Sequence, residues 1–585
     1  MISRSMKLRF ILCALFFTCA MAGLGFRLAF LQLYPHEQIC RRIEERTYRF
    51  ERKLSGRRGD ICDRGGSDNI LALDLAVKDV CADPYVIAKT NALVQVASRL
   101  AQKLDLPVDE VAVKLNRPKR RYARIKRFVP SDLAQEIAEE NLPGVFLRDA
   151  NVRYYPQGSF MSHVLGFVNY QGVGSAGIEQ YKNSVLKGTP GVIEGAKDGL
   201  KREVYLRRDR SIPGKEGTSI ELTLDQNIQH VVEKELRKIM DKYTPEGAWC
   251  IVEQVHTGEI LAMASMPDYD LNEFGSASDN VKLNRAISYV YEPGSTMKAA
   301  SFAAALNEGV VTRHTMFSCE GGAWLYKGHV LHDCHDYGTI DVADGLKKSS
   351  NIMTAKISLL LGKKRLYRYL TKFGLGKKMG IDLPGEENGI LHPVRKWSGL
   401  SVTRIPIGQG VAVTALQMLG VYCAIANDGF LMKPHVIKRM LDADGKVVYT
   451  AKPQVMAKVI RPETARTMCQ LLARVTEEHG TGTKARIKGF KVAGKTGTAQ
   501  KPVRGGYSRT AFMASFVGFF PAERPEVAII VVVDHPKGAH YGGTVAAPAF
   551  SVIGEKTARI LGIQPCKEEV ARPLVYARGL PPAEG

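Results

Sequence analysis

Acidic residues are the scarce class in this chain: 59 Asp and Glu stand against 82 Lys and Arg, leaving a formal charge of +23 on 585 residues. Such an excess points to anionic partners. Seven cations cluster at Arg117, Lys119, Arg120, Arg121, Arg124, Lys126 and Arg127, but no nucleic-acid-binding motif accompanies them. Anionic headgroups, wall polymers or a solvated basic face fit better than nucleic acid. Cysteine is thin as well, with 11 in all, too few for a disulfide framework in a chain this long. Cys319 and Cys334 are the one pair that an oxidising compartment could bridge, and spacing does not say whether they meet. The run His332-Asp333-Cys334-His335 has metal-ligand residue types, yet Cys319 is the only other obvious ligand nearby, so no metal is expected. Long uncharged runs are rare too. The one that carries weight is Phe10 to Phe26, 17 residues preceded by Arg4, Lys7 and Arg9 and prolonged past Arg27 by Leu28 to Leu33. It predicts a single transmembrane helix over 10–33, with Arg27 snorkelling, residues 1–9 cytoplasmic and the remainder exported. A cleaved signal peptide ending at Ala20-Met21-Ala22 is the competing reading, disfavoured because the apolar run continues beyond that site.

What the chain does contain is three short polar motifs in a fixed order: Ser295-Thr296-Met297-Lys298, Ser349-Ser350-Asn351 and Lys495-Thr496-Gly497-Thr498. Each alone is weak. The first puts a hydroxyl and an amine three residues apart, on one face of a helix opened by Pro293-Gly294. An ordinary lysine, with a pKa of ~10.4, is protonated at neutral pH, so Lys298 can act as a base only if burial or nearby cations such as Lys495 lower that value. The second motif supplies a hydroxyl, Ser349, and a carboxamide, Asn351, suited to proton relay and to holding a substrate amide. The third follows an apparent strand at Lys491, and its Gly497 lets backbone come close to a bound peptide. Lys495, Thr496 and Thr498 offer donors to a carboxylate.

Around these motifs the chain reads as several domains. Over 250 residues separate the apolar segment from Ser295, too many for a linker. Within them lie Arg57-Arg58-Gly59-Asp60-Ile61-Cys62-Asp63-Arg64-Gly65-Gly66, Arg153-Tyr154-Tyr155-Pro156-Gln157-Gly158 and Gly174-Ser175-Ala176-Gly177-Ile178-Glu179, where Glu179 stands beside glycines in what reads as a surface turn. A connector at Ser211 to Gly217 leads to a strand at Ile220 to Leu224 and, after Asp225 as N-cap, to a helix whose apolar face is Ile228, Val231, Val232, Leu236, Ile239 and Met240. Hairpins are expected at Trp249 to Ser265 and at Ala511 to Val533. With a strand at Lys491 that makes five strands, and helices fall between them, an α+β arrangement with an antiparallel sheet covered by helices.

The three motifs resemble those of the penicillin-binding protein and serine β-lactamase superfamily. Whole segments, Tyr291 to Lys298, Lys348 to Asn351, Gly408-Gln409-Gly410-Val411 and Tyr541 to Pro548, look most like the septal, FtsI-type class B penicillin-binding proteins. One departure is Gly66, where the usual pedestal motif has asparagine. The resemblance implies a transmembrane helix, an elongated α/β pedestal of the dimerisation type over 34–217, a penicillin-binding transpeptidase domain over 218–565 and a tail over 566–585. It implies Ser295 as acyl-forming nucleophile, Lys298 as general base, Ser349 and Asn351 as catalytic partners, and Lys495, Thr496, Gly497 and Thr498 as the substrate-binding strand. The backbone N–H groups of Ser295 and Thr498 would form the oxyanion hole. The implied activity is D,D-transpeptidation of peptidoglycan stem peptides at the septum, with no metal and no organic cofactor, inhibited by β-lactams. The implied partners are an FtsW-type glycan polymerase, bitopic division proteins and the membrane, but no nucleic acid. An elongation enzyme of the same chemistry, a water-using carboxypeptidase or β-lactamase, and a non-catalytic divisome scaffold are the rivals.

Overall fold

The computed structural model describes residues 4–33, 49–54, 56–197 and 203–565. The expected tail, 566–585, and residues 34–48 of the expected pedestal lie outside them. Two compact units partition the chain: residues 1–56 with 189–215, and residues 57–188 with 216–585.

In the first unit a helix, α1, runs over Arg4–Leu33. It is long and apolar enough to cross a membrane from Ser5 to Leu33, and none of that span is buried within the protein. This fits a single-pass anchor. Three strands, Arg49–Leu54, Gly191–Lys197 and Glu203–Ile212, form an antiparallel sheet with the second in the middle.

Two main sheets of the second unit are built from twelve strands: β1 (Ile61–Cys62), β2 (Ile70–Ala82), β3 (Ala123–Val129), β4 (Val145–Tyr154), β5 (Ser219–Leu222), β6 (Gly247–Gln254), β7 (Ile260–Met266), β8 (Ile437–Leu441), β9 (Val447–Thr450), β10 (Ala493–Val503), β11 (Gly506–Phe520) and β12 (Val527–Asp534). One sheet is ordered β9-β8-β5-β1-β2-β3, with β4 also paired to β2. It runs without a break across the expected connector, because β1 and β5 pair in parallel, Ile61 opposite Ile220. Glu179 is not on a surface turn. It is fully buried, and its carboxylate takes the Nε–H of Arg58 and of Arg153, each at 2.6 Å, while Arg153 also reaches Asp74 at 3.3 Å. One carboxylate thus gathers all three charged motifs of the pedestal. The turn at Gly66 forms despite the missing asparagine, its N–H bonding Asp63 O and its carbonyl receiving Asn69 N–H. The basic run is partly engaged: Arg121 lies over the Tyr85 ring at 4.2 Å and Arg124 stands 3.6 Å from Asp79.

The other sheet has five antiparallel strands in the order β7-β6-β12-β11-β10. Both hairpins are local pairs within it. Alternation along β6 divides its side chains: Ala248, Cys250 and Val252 join a core with Ile228, Val232 and Leu236 of helix α2 (Gln226–Tyr243) and Phe550 and Ile553 of helix α6 (Ala547–Ile560). Trp249 and Ile251 face the larger core, packed with helices α3 (Lys298–Asn307), α4 (Asn351–Leu361) and α5 (Ala415–Ala426). Asp225 caps α2 as its position predicts, accepting from Asn227 N and Ile228 N. Each large apolar side chain buried completely, such as Phe302 and Phe516, contributes roughly 1.5–3 kcal/mol.

Candidate active site

Ser295 does not sit in the α-helix but in a 3₁₀ turn, Gly294–Met297, immediately before α3. Pro293 and a left-handed Gly294 (φ 55°) start the turn, and Thr296 tightens it by donating its hydroxyl to Pro293 O at 2.8 Å. The buried Tyr422 of α5 donates to Thr296 O at 2.9 Å, locking the turn to the core. Gly408, at φ 84°, crosses so closely that a Cβ there would stand 2.1 Å from the carbonyl oxygen of Gly294. Only glycine fits both the conformation and the contact.

Lys298 opens α3 with its whole side chain buried. Its Nζ donates to Ser349 O at 2.6 Å, Asn351 Oδ1 at 2.7 Å and Ser349 Oγ at 3.0 Å. The amine is therefore tied to the second motif by neutral acceptors. Burial pulls its pKa from 10.5 down to about 8, opposed chiefly by the negative charge of Asp333. The cation expected to depress it, Lys495, is not among the causes. Lys495, also fully buried, is held well below the ordinary lysine range by burial first and by the Lys298 charge second.

The second motif is a strained turn capped onto α4. Ser349 has φ 61°, a left-handed backbone that a serine adopts at a cost. Ser350 caps α4 by accepting from Met353 N at 3.0 Å. Asp333 braces all of this. One carboxylate oxygen receives the Ser350 hydroxyl at 2.6 Å, and the other receives the backbone N–H groups of Asn351 and, at 3.1 Å, Ile352. Asn351 Nδ2 donates to His332 O at 2.9 Å. The run that carries metal-ligand residue types thus serves as scaffolding for the second motif, and among the described residues no cluster could hold a metal ion. Cys319, beside Ser350 at 3.4 Å, and Cys334 are free thiols.

The third motif lies within β10, the terminal strand of its sheet. Gly497 faces the serine turn so tightly that a Cβ would meet Ser515 Oγ at 2.3 Å and Thr296 Cγ2 at 3.0 Å. Lys495 Nζ has long contacts to Thr496 O and Oγ1, 3.4 and 3.5 Å. Thr496 donates to Thr481 Oγ1 at 3.0 Å, and Thr498 Oγ1 accepts from Gly542 N at 3.1 Å. Ser295, Ser349, Asn351, Thr496 and Thr498 all line one cleft of about 600 Å³, with Lys298 bonded to its floor. Of the eight expected site residues, five line the cleft, Lys298 is bonded to two of these, and Lys495 and Gly497 flank Thr496 on β10 without lining it. Sequence reasoning missed Asp333 and Thr481. Nothing local marks Thr481, and Asp333 drew notice only as part of a run with metal-ligand residue types where no metal was expected.

Residues 248–555 match the family described as penicillin binding protein transpeptidase domain, and residues 53–222 match the penicillin-binding protein dimerisation domain. The chain is 32% identical to the peptidoglycan D,D-transpeptidase FtsI of Escherichia coli over 561 residues, covering 94% of this chain and 92% of that one. It is 33% identical to stage V sporulation protein D of Bacillus subtilis over 535 residues, covering 88% and 80%. Among solved structures it resembles penicillin binding protein 3 of Mycobacterium tuberculosis complexed with aztreonam, with a TM-score of 0.69 and 27% identity, covering 88% of this chain and 98% of that one. The peptidoglycan synthetase of Bifidobacterium adolescentis gives 0.72 at the same identity, over 89% and 98%. With both domain families matched in order and relatives aligned along nearly its whole length, the chain belongs to the class B penicillin-binding proteins.

Proposed function

We propose that this protein is a serine D,D-transpeptidase that cross-links peptidoglycan stem peptides during septal wall synthesis. In this reading residues 1–9 are cytoplasmic, 34–217 serve as the pedestal and 218–565 as the exported transpeptidase domain. The observation that carries the chemistry is the buried Lys298, whose amine, with a pKa near 8, is bonded to Ser349 and Asn351, which line one cleft with Ser295. A neutral amine there accepts the Ser295 proton as Oγ attacks the carbonyl of the penultimate D-alanine. The tetrahedral oxyanion is held by the N–H groups of Ser295 and Thr498. On collapse the C–N bond breaks, Ser349 relays the proton to the departing amine, and terminal D-alanine leaves an ester on Ser295. The amine of a second stem peptide then attacks that ester, restoring the serine. Lys495, Thr496 and Thr498 hold the terminal carboxylate, and β-lactams acylate the same serine. An FtsW-type polymerase, small bitopic division proteins and the membrane are the partners of such an enzyme.

Covalent labelling of the full-length chain in detergent by a fluorescent penicillin, beside Ser295→Ala, tests the site. A stable label that disappears in the folded variant supports it, whereas an unlabelled folded wild type would leave a scaffold without catalysis. Midcell rather than lateral-wall localisation of a tagged chain separates the septal role from elongation.

A further inference from the structure

The end of β2 carries a concentration of charge that the catalytic chemistry leaves unused. β2 leaves β1 at the pair Ile70–Cys62 and finishes at Ala82, flanked there by Ala123 of β3 and Val145 of β4. At about 3.3 Å per residue this end lies roughly 40 Å along the strand from β1. One face of it is closed, since Val80 and Ala82 pack with Ile125, Val96 and Leu100. The other is open. Phe146 and Arg124, both exposed, stand opposite Cys81 on its two sides and so share its face. Tyr122, just before β3, receives the Cys81 thiol at 3.6 Å and lies 6.4 Å from the Phe146 ring. The Arg148 guanidinium is over the Tyr122 ring at 5.4 Å, as that of Arg121 is over Tyr85 at 4.2 Å. Tyr85, Tyr122 and Phe146 are 41%, 39% and 39% exposed.

A fastened turn completes this surface. Arg120 N–H bonds Arg117 O at 2.8 Å, and Arg120 O receives Tyr85 N–H at 3.1 Å, which ties the loop to the short helix Pro84–Lys89. Arg117, Lys119 and Arg120 are exposed, and among the described residues no acceptor or ring takes their side chains. Asp83 stands 3.9 Å from Arg121 and Asp79 3.6 Å from Arg124. Both carboxylates are also held by backbone, Asp83 accepting Tyr85 N–H at 3.0 Å and Asp79 accepting Phe128 N–H at 3.1 Å. The charges of Arg117, Lys119, Arg120 and Arg148 are left over.

Free guanidinium groups beside exposed rings suit a ligand that is itself mixed. The forks take carboxylates through paired hydrogen bonds, and the rings take the C–H face of a pyranose. A lipid surface instead rewards bare apolar side chains pushed below its headgroups, whereas here Tyr85 and Tyr122 lie under guanidinium groups. We propose that the open face at residues 79–82, with the turn 117–121, binds an anionic glycan polymer, the uncross-linked peptidoglycan strand, at a point separate from the catalytic cleft. In naming that polymer the proposal rests on the transpeptidase reading above. A strand held here meets the cleft as an intramolecular partner, so the surface favours long strands and is indifferent to penicillin.

The test holds the full-length chain in nanodiscs of zwitterionic lipid, with Ser295 first acylated by unlabelled penicillin so that the cleft is closed. Binding is read with three probes: soluble uncross-linked glycan strands bearing stem peptides, the same strands freed of those peptides, and phosphatidylglycerol vesicles. Wild type is expected to bind the intact strands at least about tenfold more tightly than the stripped ones, which lack the peptide carboxylates. An exposed ion pair is worth up to about fivefold, so Arg117→Gln/Arg120→Gln/Arg121→Gln is expected to weaken binding of intact strands by about 10–100-fold. Labelling of unblocked variant by fluorescent penicillin is expected to stay within about 2-fold of wild type, which also establishes that the variant is folded. Equal binding of intact strands by variant and wild type, or equal binding of both kinds of strand by wild type, would overturn the proposal. Tighter binding of the vesicles than of intact strands, lost in the variant, would also overturn it and assign the surface to the membrane. In each of these cases penicillin labelling, and the transpeptidase reading with it, stands; a folded wild type that penicillin does not label would remove that reading instead.

Discussion

If Lys298 takes the Ser295 proton, the rate of acylation must follow the fraction of that amine which is neutral. The amine is buried, its three hydrogen bonds go to uncharged acceptors, and its pKa is drawn down to about 8. At pH 8 half of it is neutral, at pH 7 about one-tenth and at pH 6 about one-hundredth. The second-order rate constant for fluorescent penicillin labelling should therefore rise about tenfold between pH 6 and 7, bend near pH 8 and level off by about pH 9. A profile flat from pH 6 to 9, or one still climbing at about pH 10 as an ordinary lysine would make it, refutes the assignment. Lys298→Arg, whose guanidinium stays charged, should lower labelling by about 10²–10⁴-fold, the usual contribution of a positioned base. The same burial has a stability signature of known sign. Between pH 8 and 10.5 the unfolded chain binds a proton that the folded chain has lost, so the Lys298 contribution makes the fold more stable as pH rises through that window.

Two further perturbations probe the surroundings. Asp333→Ala removes the acceptor of the Ser350 hydroxyl and of two backbone N–H groups, so labelling should fall on the order of 10–100-fold through misplacement of Ser349 and Asn351. Asp333→Asn keeps an acceptor but removes a charge that raises the Lys298 pKa, and its rising limb should move to lower pH; an unmoved limb would show that this charge is not felt at Lys298. Glu253, fully buried in β6 with Cys423 as partner, has its carboxyl pushed up from 4.5 to about 8 by burial. Between those values the folded chain holds a proton that the unfolded chain releases, so stability falls as pH rises from 4.5 to 8. Glu253→Gln should flatten that slope and gain on wild type by a few kcal/mol at about pH 8.5. Parallel thermal unfolding midpoints for the two proteins at pH 5 and pH 8.5 would contradict this.

Much of the catalytic machinery was legible in the residues themselves, because it is local: each motif spans four residues or fewer, and hairpins and a capped helix declare themselves by period and turn chemistry. The order β7-β6-β12-β11-β10 was not legible, since a hairpin fixes only its own pair. Nor was the 3₁₀ turn at Ser295, which depends on Tyr422 and Gly408, more than 100 residues away in sequence. Glycines beside Glu179 suggest a solvent-facing turn, and only the convergence of Arg58 and Arg153 makes burial of that carboxylate tolerable. Asp333 was weighed only as one of several metal-ligand residue types, and no metal was expected there. Its actual partners are the N–H groups at the start of α4, a demand that arises only once that helix exists.

The sheet that joins β1 to β5 and β8 bears on where this protein can be cut and how it can be pulled. The boundary between the two matched families falls at about residue 222, yet β5, which ends there, is hydrogen-bonded on one side to β1 of the pedestal and on the other to β8 from the middle of the transpeptidase region. A chain trimmed to begin beyond Leu222 would leave β8 with an open edge, a template for sticking to other strands. Mechanically, the pedestal is no detachable handle. Tension applied to β1 passes through its two residue pairings with β5, and from β5 through β8, into the strand pair at 437–450.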